Sequence, residues 1–243
     1  MSASARIAEF ETARVTPAAA EDGRSLLHRY YDSLFAAHGP QLWWPGRTRF
    51  EIIVGAILTQ NTSWRNVEPA IRNLRAEKLL TPRAIEAVSF MRLARLIRSS
   101  GYFRQKAKKL KAFTRVLGSE FGGSLSRMFR TPTDALREQL LGVHGIGPET
   151  ADSILLYAGE HPVFVVDAYT RRMLERHQLA TSRQSYEEIR QLFESNLTPD
   201  APLYNEFHAL IVRTGKEYCR TRNPRCSECP LQSFLPRAIQ GSL

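Results

Sequence analysis

The 243-residue chain contains no long hydrophobic run. No apolar stretch approaches the ~20 residues that a membrane-spanning helix requires. Residues 1–23 also lack the apolar core of a secretory signal. We therefore expect a cytoplasmic protein without a membrane partner.

The sequence has little strand character. No segment shows the alternation of apolar and polar residues that is typical of a half-buried strand, and VFVV at residues 163–166 is too short to assign. Apolar residues instead recur every three or four positions in nearly every segment. Two such stripes are formed by Phe50, Ile53, Val54, Ile57 and Leu58, and by Tyr186, Ile189, Phe193 and Leu197. This periodicity predicts an all-α fold.

Capping residues mark where some helices begin. A hydroxyl side chain before a helix accepts a hydrogen bond from a free backbone N–H, and proline is tolerated in the first turn. The sequence predicts three helix starts on this basis: at Thr81-Pro82, at Thr131-Pro132, and at Ser185, which precedes Glu188 in a capping-box pattern.

Acidic residues are in the minority. The chain has 24 Asp and Glu against 34 Lys and Arg, a formal net charge of +10. Such an excess favours a polyanionic partner, for which nucleic acid and an anionic membrane surface are both candidates. A basic protein without such a partner is the alternative.

Glycine is concentrated in one place, the stretch LGVHGIGPETADSILLY at residues 141–157. One amphipathic helix ends before Gly142 and another begins at Pro148, so the residues between them must reverse the chain tightly. Gly145 and Gly147 favour such a turn because glycine adopts positive φ and lets another backbone approach. The free N–H groups of the turn can hold a phosphate without contacting a base. A glycine-rich helical hairpin without this role is the alternative.

Three motifs in order along the chain carry a family resemblance. LLGVHGIGPETADSILLY is followed by VFVVDAYTRR at residues 163–172 and by CRTRNPRCSEC at residues 219–229. Together they resemble the helix-hairpin-helix, aspartate and iron–sulfur segments of the DNA glycosylase superfamily that includes endonuclease III. The resemblance extends from about Leu26 to Cys229.

The resemblance implies a two-lobed fold. A six-helix barrel that contains the hairpin is expected over residues 41–161. Residues 25–40 and 162–243 are expected to form a second helical lobe with an iron–sulfur-type loop, and residues 1–24 an N-terminal extension. Double-stranded DNA with a damaged base would lie in the cleft between the lobes, and the protein is expected to act as a monomer.

The predicted catalytic residues are Asp167 and Glu149. The resemblance implies that Asp167 stabilises the positive charge that develops on the sugar as the base leaves, and that it orients the attacking water. Bifunctional members of the family carry a lysine where this chain has Glu149, and a carboxylate cannot form the Schiff base that precedes strand cleavage. We therefore expect a monofunctional glycosylase. Without the resemblance, Asp167 would be assigned as a helix N-cap.

The predicted DNA contacts are the hairpin and two groups of side chains. In the resemblance, Gln60 enters the space that the extruded base vacates, and Tyr102 or Phe103 inserts next to the opposite strand. Taken alone, these residues would be assigned to a polar helix face and to the core. The hairpin contacts are assigned to Gly142, Val143, His144, Gly145, Ile146 and Gly147.

The predicted base pocket contains Trp43, Trp44 and Trp64 together with Gln60. WWP, LTQNT followed by an aromatic residue, ETAD and VVD resemble the branch that includes 3-methyladenine DNA glycosylases. Indole faces attract the positive charge of an alkylated purine, and Glu149 would add a negative charge. The alternatives are that the tryptophans belong to the core, that the enzyme removes oxidised pyrimidines or mismatched bases, or that the chain is a non-catalytic DNA-binding protein.

Cysteine is scarce, and Cys219, Cys226 and Cys229 lie within eleven residues. In a reducing compartment this spacing indicates metal or cluster ligation rather than disulfides. The three cysteines match the first three positions of the family loop, and we therefore predict a [4Fe–4S] cluster. The family loop has a fourth cysteine where this chain has Leu235, so the fourth ligand of this cluster is missing or is not cysteine. Zinc and a loop without metal are the alternatives. Candidate replacement ligands are Glu9, Glu11, Glu21 and Asp22.

Overall fold

A computed structural model describes residues 25–44 and 46–236. These residues form twelve α-helices and no strand, so the predicted all-α class is confirmed. The N-terminal extension, with Glu9, Glu11, Glu21 and Asp22, lies outside the described residues. The helices are α1 (Leu26–His38), α2 (Arg49–Leu58), α3 (Trp64–Ala76), α4 (Pro82–Ala87), α5 (Phe90–Leu96), α6 (Phe103–Phe121), α7 (Leu125–Met128), α8 (Thr133–Leu141), α9 (Pro148–Ser153), α10 (Ala168–Arg176), α11 (Tyr186–Glu194) and α12 (Ala201–Glu217).

Two of the three predicted helix starts are confirmed. Thr81 caps α4, and Ser185 and Glu188 form a capping box at the start of α11. The third prediction was wrong by one residue: α8 starts at Thr133, and Pro132 is its N-cap. Pro132 has an extended backbone, so it lies outside the helix and the helix begins at the next residue. Proline also disfavours helical geometry in the residue before it, so Thr131 does not start the helix either.

The buried apolar residues form two clusters. The first cluster extends from Phe50 to Val163, and the second combines Leu27, Tyr30 and Leu34 of α1 with residues between Leu156 and Leu231. Both ends of the described chain therefore contribute to the second cluster. The predicted lobe boundaries after residues 40 and 161 stay a prediction.

The two clusters meet along the helix that follows the hairpin. After α9 the chain widens into a π turn, Ile154–Ala158. Within this turn Leu155 belongs to the first cluster and Leu156 to the second. A π turn changes the direction of successive side chains, and such turns are frequent at functional sites. In the described part of the chain, no helix has both the length and the apolar composition to cross a membrane.

Candidate functional site

A cavity of 550 Å³ lies where the two apolar clusters meet. Residues from α2, α3, α9, α10 and α12 line it, so its walls come from both clusters. It brings together all the residues predicted for the catalytic centre and base pocket: Trp43, Trp44, Gln60, Trp64, Glu149 and Asp167.

Asp167 is held rigidly at one end of this cavity. It is the N-cap of α10, and its Oδ1 accepts hydrogen bonds from the backbone N–H of Thr170 at 2.8 Å and from the Thr170 hydroxyl at 3.1 Å. Its side chain is 15 % exposed. Burial alone would raise the pKa of Asp167, but His208 and the hydrogen bonds from Thr170 outweigh burial and lower the pKa below its ordinary value. The site therefore keeps this carboxylate ionised at neutral pH.

His208 and Tyr157 support Asp167, and the sequence did not indicate either. His208 Nε2 lies 3.6 Å from Asp167 Oδ2, and its Nδ1 is hydrogen-bonded to the Tyr157 hydroxyl at 2.6 Å. Both side chains are buried and line the cavity. His208 lies within the apolar stripe of α12 and Tyr157 within the π turn. No motif distinguishes them from core residues, and only the packing of the helices places them beside Asp167.

Glu149 lies at the rim of the same cavity, in the first turn of α9. Loss of solvent around its carboxylate raises its pKa, and the negative charge of Asp167 raises it further, whereas His208 and Arg171 lower it. Two carboxylates thus face one cavity, with Asp167 the more acidic of the two.

The three tryptophans form one cluster in the wall of the same cavity. Trp44 packs edge-on against both Trp43 and Trp64, with ring centroids 5.7 Å and 5.4 Å apart. Gly55 of α2 permits this approach, since a Cβ there would lie 3.2 Å from Trp44 and 3.3 Å from Trp64. Lys216 lies over the Trp43 ring, with its Nζ 5.7 Å from the centroid. One face of Trp43 is therefore already occupied by a cation.

Among the three hairpin glycines, only Gly145 has a positive φ, of 81°. Gly142 ends α8 as its C-cap, with a φ of −71°. The expectation of positive φ at Gly147 was wrong, because its φ is −98°, which other residues adopt. Gly145 is also required for packing, because a Cβ there would lie 2.6 Å from the side chain of Lys109. Val143 and Ile146 bury their side chains in the first cluster. Any contact they make with DNA would therefore be through their backbone.

Gln60 is hydrogen-bonded to the hairpin and to the helices beside it. Its amide nitrogen donates to the Thr150 hydroxyl at 2.8 Å and to the Gly145 carbonyl at 3.1 Å, and its amide oxygen accepts from the Lys109 ammonium. It lies at the junction of the 550 Å³ cavity with a second groove that runs along the hairpin to Asp167. This position is consistent with its predicted entry into DNA, which stays a prediction.

The structure separates the two aromatic residues predicted to contact the opposite strand. Tyr102 is 73 % exposed and lies in a groove with Gln60 and His144. Phe103 packs against the first apolar cluster. The prediction of an inserted aromatic side chain therefore rests on Tyr102.

The three cysteines lie together in the second lobe, but they form an incomplete donor set. Leu235, at the position of the family's fourth cysteine, is buried, and the cavity between the thiols and Leu235 has a volume of about 10 Å³. Arg176 donates to the sulfur of Cys219 at 3.0 Å, and burial raises the pKa of the Cys229 thiol to about 11. Among the residues in the described ranges, no three His, Cys, Asp or Glu side chains converge as metal ligands. As arranged, the three thiols do not make up the complete donor set of a cluster.

The cluster stays a prediction from the cysteine spacing, to be tested on anaerobically purified protein. The spacing predicts a brown protein that contains iron and acid-labile sulfide. Cys226→Ser should then lower the Tm by roughly 5 °C or more, because ligand binding contributes to the folding free energy. Ser227→Ala, a neighbouring substitution outside the donor set, is the control. A colourless wild-type protein without iron and with a cooperative unfolding transition would rule the cluster out.

Comparison with known proteins identifies a family. Residues 54–199 match the profile of the HhH-GPD superfamily of base excision DNA repair proteins. A protein of Methanocaldococcus jannaschii that carries the provisional name DNA repair glycosylase is 45% identical over 216 residues, which cover 88% of this chain and 97% of that protein. Endonuclease III of Thermotoga maritima is 30% identical over 197 residues, covering 80% of this chain and 87% of that enzyme.

Solved structures share the fold. The crystal structure of the H. pylori 3-methyladenine DNA glycosylase bound to 1,N6-ethenoadenine is 30% identical in sequence, with a TM-score of 0.68 over 79% of this chain and 97% of that chain. A non-covalent complex of endonuclease III with DNA has a TM-score of 0.74 at 22% identity, covering 89% of this chain and 96% of that one. At this lower identity the second comparison establishes the fold alone.

Proposed function

The chain belongs to the HhH-GPD superfamily of base excision DNA repair proteins, and we propose that it is a monofunctional glycosylase that removes alkylated purines from double-stranded DNA. That it is a DNA repair glycosylase follows from the superfamily and its relatives. The finer assignment rests on one observation: the ionised Asp167 and a cluster of three indoles line the same cavity of 550 Å³. We further propose that it acts in the cytoplasm as a monomer.

The proposed reaction is hydrolysis of the N-glycosidic bond. As the bond between base and sugar breaks, positive charge develops on the sugar, and the Asp167 carboxylate stabilises this charge. The base leaves with the electron pair of the broken bond, so a cationic purine departs as a neutral base. A water molecule then adds to the sugar carbon and releases its proton to solvent. The two hydrogen bonds from Thr170 hold the carboxylate in one orientation.

An alkylated purine fits the cavity because of its charge. Alkylation at N3 or N7 gives the purine a positive charge, which indole faces attract by about 0.5 to 2 kcal/mol each. Burial and the charge of Asp167 raise the pKa of Glu149, and in its ionised form this carboxylate also favours a cation. A cationic base is a good leaving group, so the reaction needs no strong general acid. The sequence similarity to the H. pylori 3-methyladenine DNA glycosylase supports the same substrate class.

Removal of oxidised pyrimidines is the second candidate. It is favoured by the similarity to endonuclease III of Thermotoga maritima. A non-catalytic binding module is disfavoured, because Trp43, Trp64 and Asp167 line one cavity large enough for a base. Duplexes that carry 3-methyladenine, 7-methylguanine, thymine glycol, uracil or a mismatch distinguish the candidates when base release is measured with and without later alkali. Preferential release of thymine glycol would replace our proposal by the second candidate.

Trp64→Ala tests the stacking part of the proposal. Of the three indoles, Trp64 is the best candidate for stacking, since Lys216 covers Trp43, while Trp44 packs against both other indoles and Tyr157. Loss of one stacking ring costs about 1 to 3 kcal/mol, so release of 3-methyladenine should fall tenfold to a hundredfold. Affinity for undamaged duplex and its salt dependence should change little, because they depend on phosphate contacts.

Trp64→Phe is the matched control, since it keeps an aromatic face and loses only the hydrogen bond from the indole N–H to Glu68. It should retain most of the activity. If Trp64→Ala lost duplex binding and base release in the same proportion, Trp64 would have a structural role instead.

A further inference from the structure

Lys106 of α6 is a buried cation that the proposed reaction does not use. It is 2 % exposed, and its ammonium donates to the backbone carbonyls of Leu58 at 2.9 Å and Ser100 at 2.6 Å. Burial lowers its pKa to about 8, with a further contribution from the charge of Lys109. The amine is still largely protonated at neutral pH. Burying a lysine is costly unless its charge is well paired, and here two backbone carbonyls bind the ammonium. The place of these two carbonyls in the fold indicates why a lysine is buried at this position.

The two carbonyls lie at the base of two separate loops. Leu58 is the last residue of α2, and after Thr59 the chain continues with Gln60 and Asn61. Ser100 is the last residue of a short 3-10 turn, and Tyr102 follows two residues later. The ammonium of Lys106 is therefore a bridge between the loop that carries Gln60 and the loop that carries Tyr102.

Both loops have a residue in the left-handed region. Asn61 has a φ of 53°, which asparagine tolerates better than most residues, whereas the φ of 43° at Tyr102 is strained for a bulky side chain. Such conformations persist only where the surrounding structure imposes them. Both residues line one groove of 290 Å³, together with Gln60 and Lys106 itself. The two loop tips thus meet over the bridging ammonium.

We propose that Lys106 is a positioning residue that holds these two loops at a fixed spacing, so that Gln60 and Tyr102 enter the DNA together when a base pair is opened. The inference rests on the proposed function only in that the enzyme must extrude a base from the duplex. It assigns Lys106 to base-pair opening and not to bond cleavage. Lys106 does not line the cavity that contains Asp167.

Lys109 has a separate contact in the same region. Its ammonium bonds the amide oxygen of Gln60, and its stem covers Gly145. Lys109 therefore orients one side chain, whereas Lys106 connects the backbones of two loops. Without the Lys106 ammonium, the Leu58 and Ser100 carbonyls would lose this donor. The distance between the two loops would then no longer be fixed.

The test compares Lys106→Met with Lys111→Met. Methionine keeps most of the aliphatic stem and removes the donors. Lys111 also lies on α6 and also donates to two backbone carbonyls, those of Glu86 and Val88, but it does not line the groove of the loop tips. Each variant thus loses two hydrogen bonds to backbone carbonyls, from a buried ammonium in Lys106→Met and from a more exposed one in Lys111→Met. Their Tm values measure the structural cost of each substitution.

Base release is measured under single-turnover conditions on two duplexes. In one the lesion is normally paired, and in the other it lies opposite an abasic-site analogue, where less energy is needed to extrude it. The lesion is whichever base the wild-type protein releases fastest from the panel above. An incorrect substrate assignment then leaves this test intact, and an inactive wild-type protein would refute the proposed function rather than the role of Lys106.

Lys106→Met should slow release from the paired duplex by about tenfold to a hundredfold, as expected for a displaced loop, with a much smaller loss on the duplex with the abasic-site analogue. Lys111→Met should leave the ratio of the two rates as in the wild type. In a Tyr102→Ala background, Lys106→Met should cost less, because the loop tip it positions is already gone.

Equal losses on both duplexes, or the same ratio of rates in Lys106→Met and Lys111→Met, would overturn the proposal. Additivity with Tyr102→Ala would do the same. If Lys106→Met does not fold, Lys106→Gln provides the comparison, since it keeps a polar end group but is too short to span both carbonyls. Like Lys106→Met, Lys106→Gln should lower the ratio of the release rate on the paired duplex to that on the duplex with the abasic-site analogue. A ratio unchanged from the wild type would refute the role of Lys106.

Discussion

Asp167→Asn is expected to reduce base release by about 1,000-fold or more, because it removes the charge that stabilises the sugar cation. Asparagine still caps α10 through an oxygen that can accept from Thr170, so the fold should be preserved. Binding to lesion-containing duplex should be unchanged or tighter, since a negative charge near the phosphates is lost. Single-turnover excision and equilibrium binding to the same duplex measure the two effects.

Asp200→Asn is the matched control for this substitution. Asp200 caps α12 through a hydrogen bond from the Leu203 N–H at 2.8 Å, just as Asp167 caps α10, but it does not line the cavity. Both variants should have similar Tm values, and only Asp167→Asn should be inactive. If Asp167→Asn kept activity within a few-fold of the wild type, Asp167 would not be the catalytic residue.

The second large effect concerns strand cleavage. The wild-type enzyme is expected to leave the abasic product intact until alkali is added, and borohydride should trap no covalent complex, because Glu149 cannot form an imine. Glu149→Lys places an amine at the rim of the cavity that contains Asp167. This variant should gain a borohydride-trapped complex with lesion-containing DNA, measured as a shifted band on a denaturing gel.

Glu175→Lys, which makes the same charge change at an exposed position on α10, should trap nothing. Efficient trapping by the wild-type protein would contradict the monofunctional proposal. In that case Lys216 is the first residue to examine, since among the described residues it is the lysine that lines the cavity. Loss of trapping in Lys216→Ala would identify it as the nucleophile.

Some residues of the candidate site were predicted from the sequence, and others were found only in the structure. The motifs placed Asp167 and the three tryptophans correctly in one cavity, although Trp43 and Asp167 are far apart in the chain. Their catalytic and binding roles stay predictions. His208 and Tyr157 were missed, because a polar residue within an apolar helical stripe has the same sequence pattern whether it contacts solvent, core or a catalytic group.

The family resemblance located the aspartate segment. The sequence by itself determined the all-α class and the location of the hairpin. These features depend on local causes: the spacing of apolar residues along a helix, capping hydroxyls, and proline at helix starts. The prediction failed by one residue at Thr131-Pro132, where two adjacent residues can both serve as the cap.

Only the tertiary structure decided which partners each polar side chain finds. Among the hairpin glycines it gave a positive φ to Gly145, it left Tyr102 exposed while it packed Phe103 against the first apolar cluster, and it joined two loops through Lys106. The physical reason is that a buried charge or donor must be satisfied by whatever carbonyl or carboxylate the folded chain brings near it. Periodicity identifies the face of a helix that is buried, but it does not identify the residue, distant in sequence, that lies against that face.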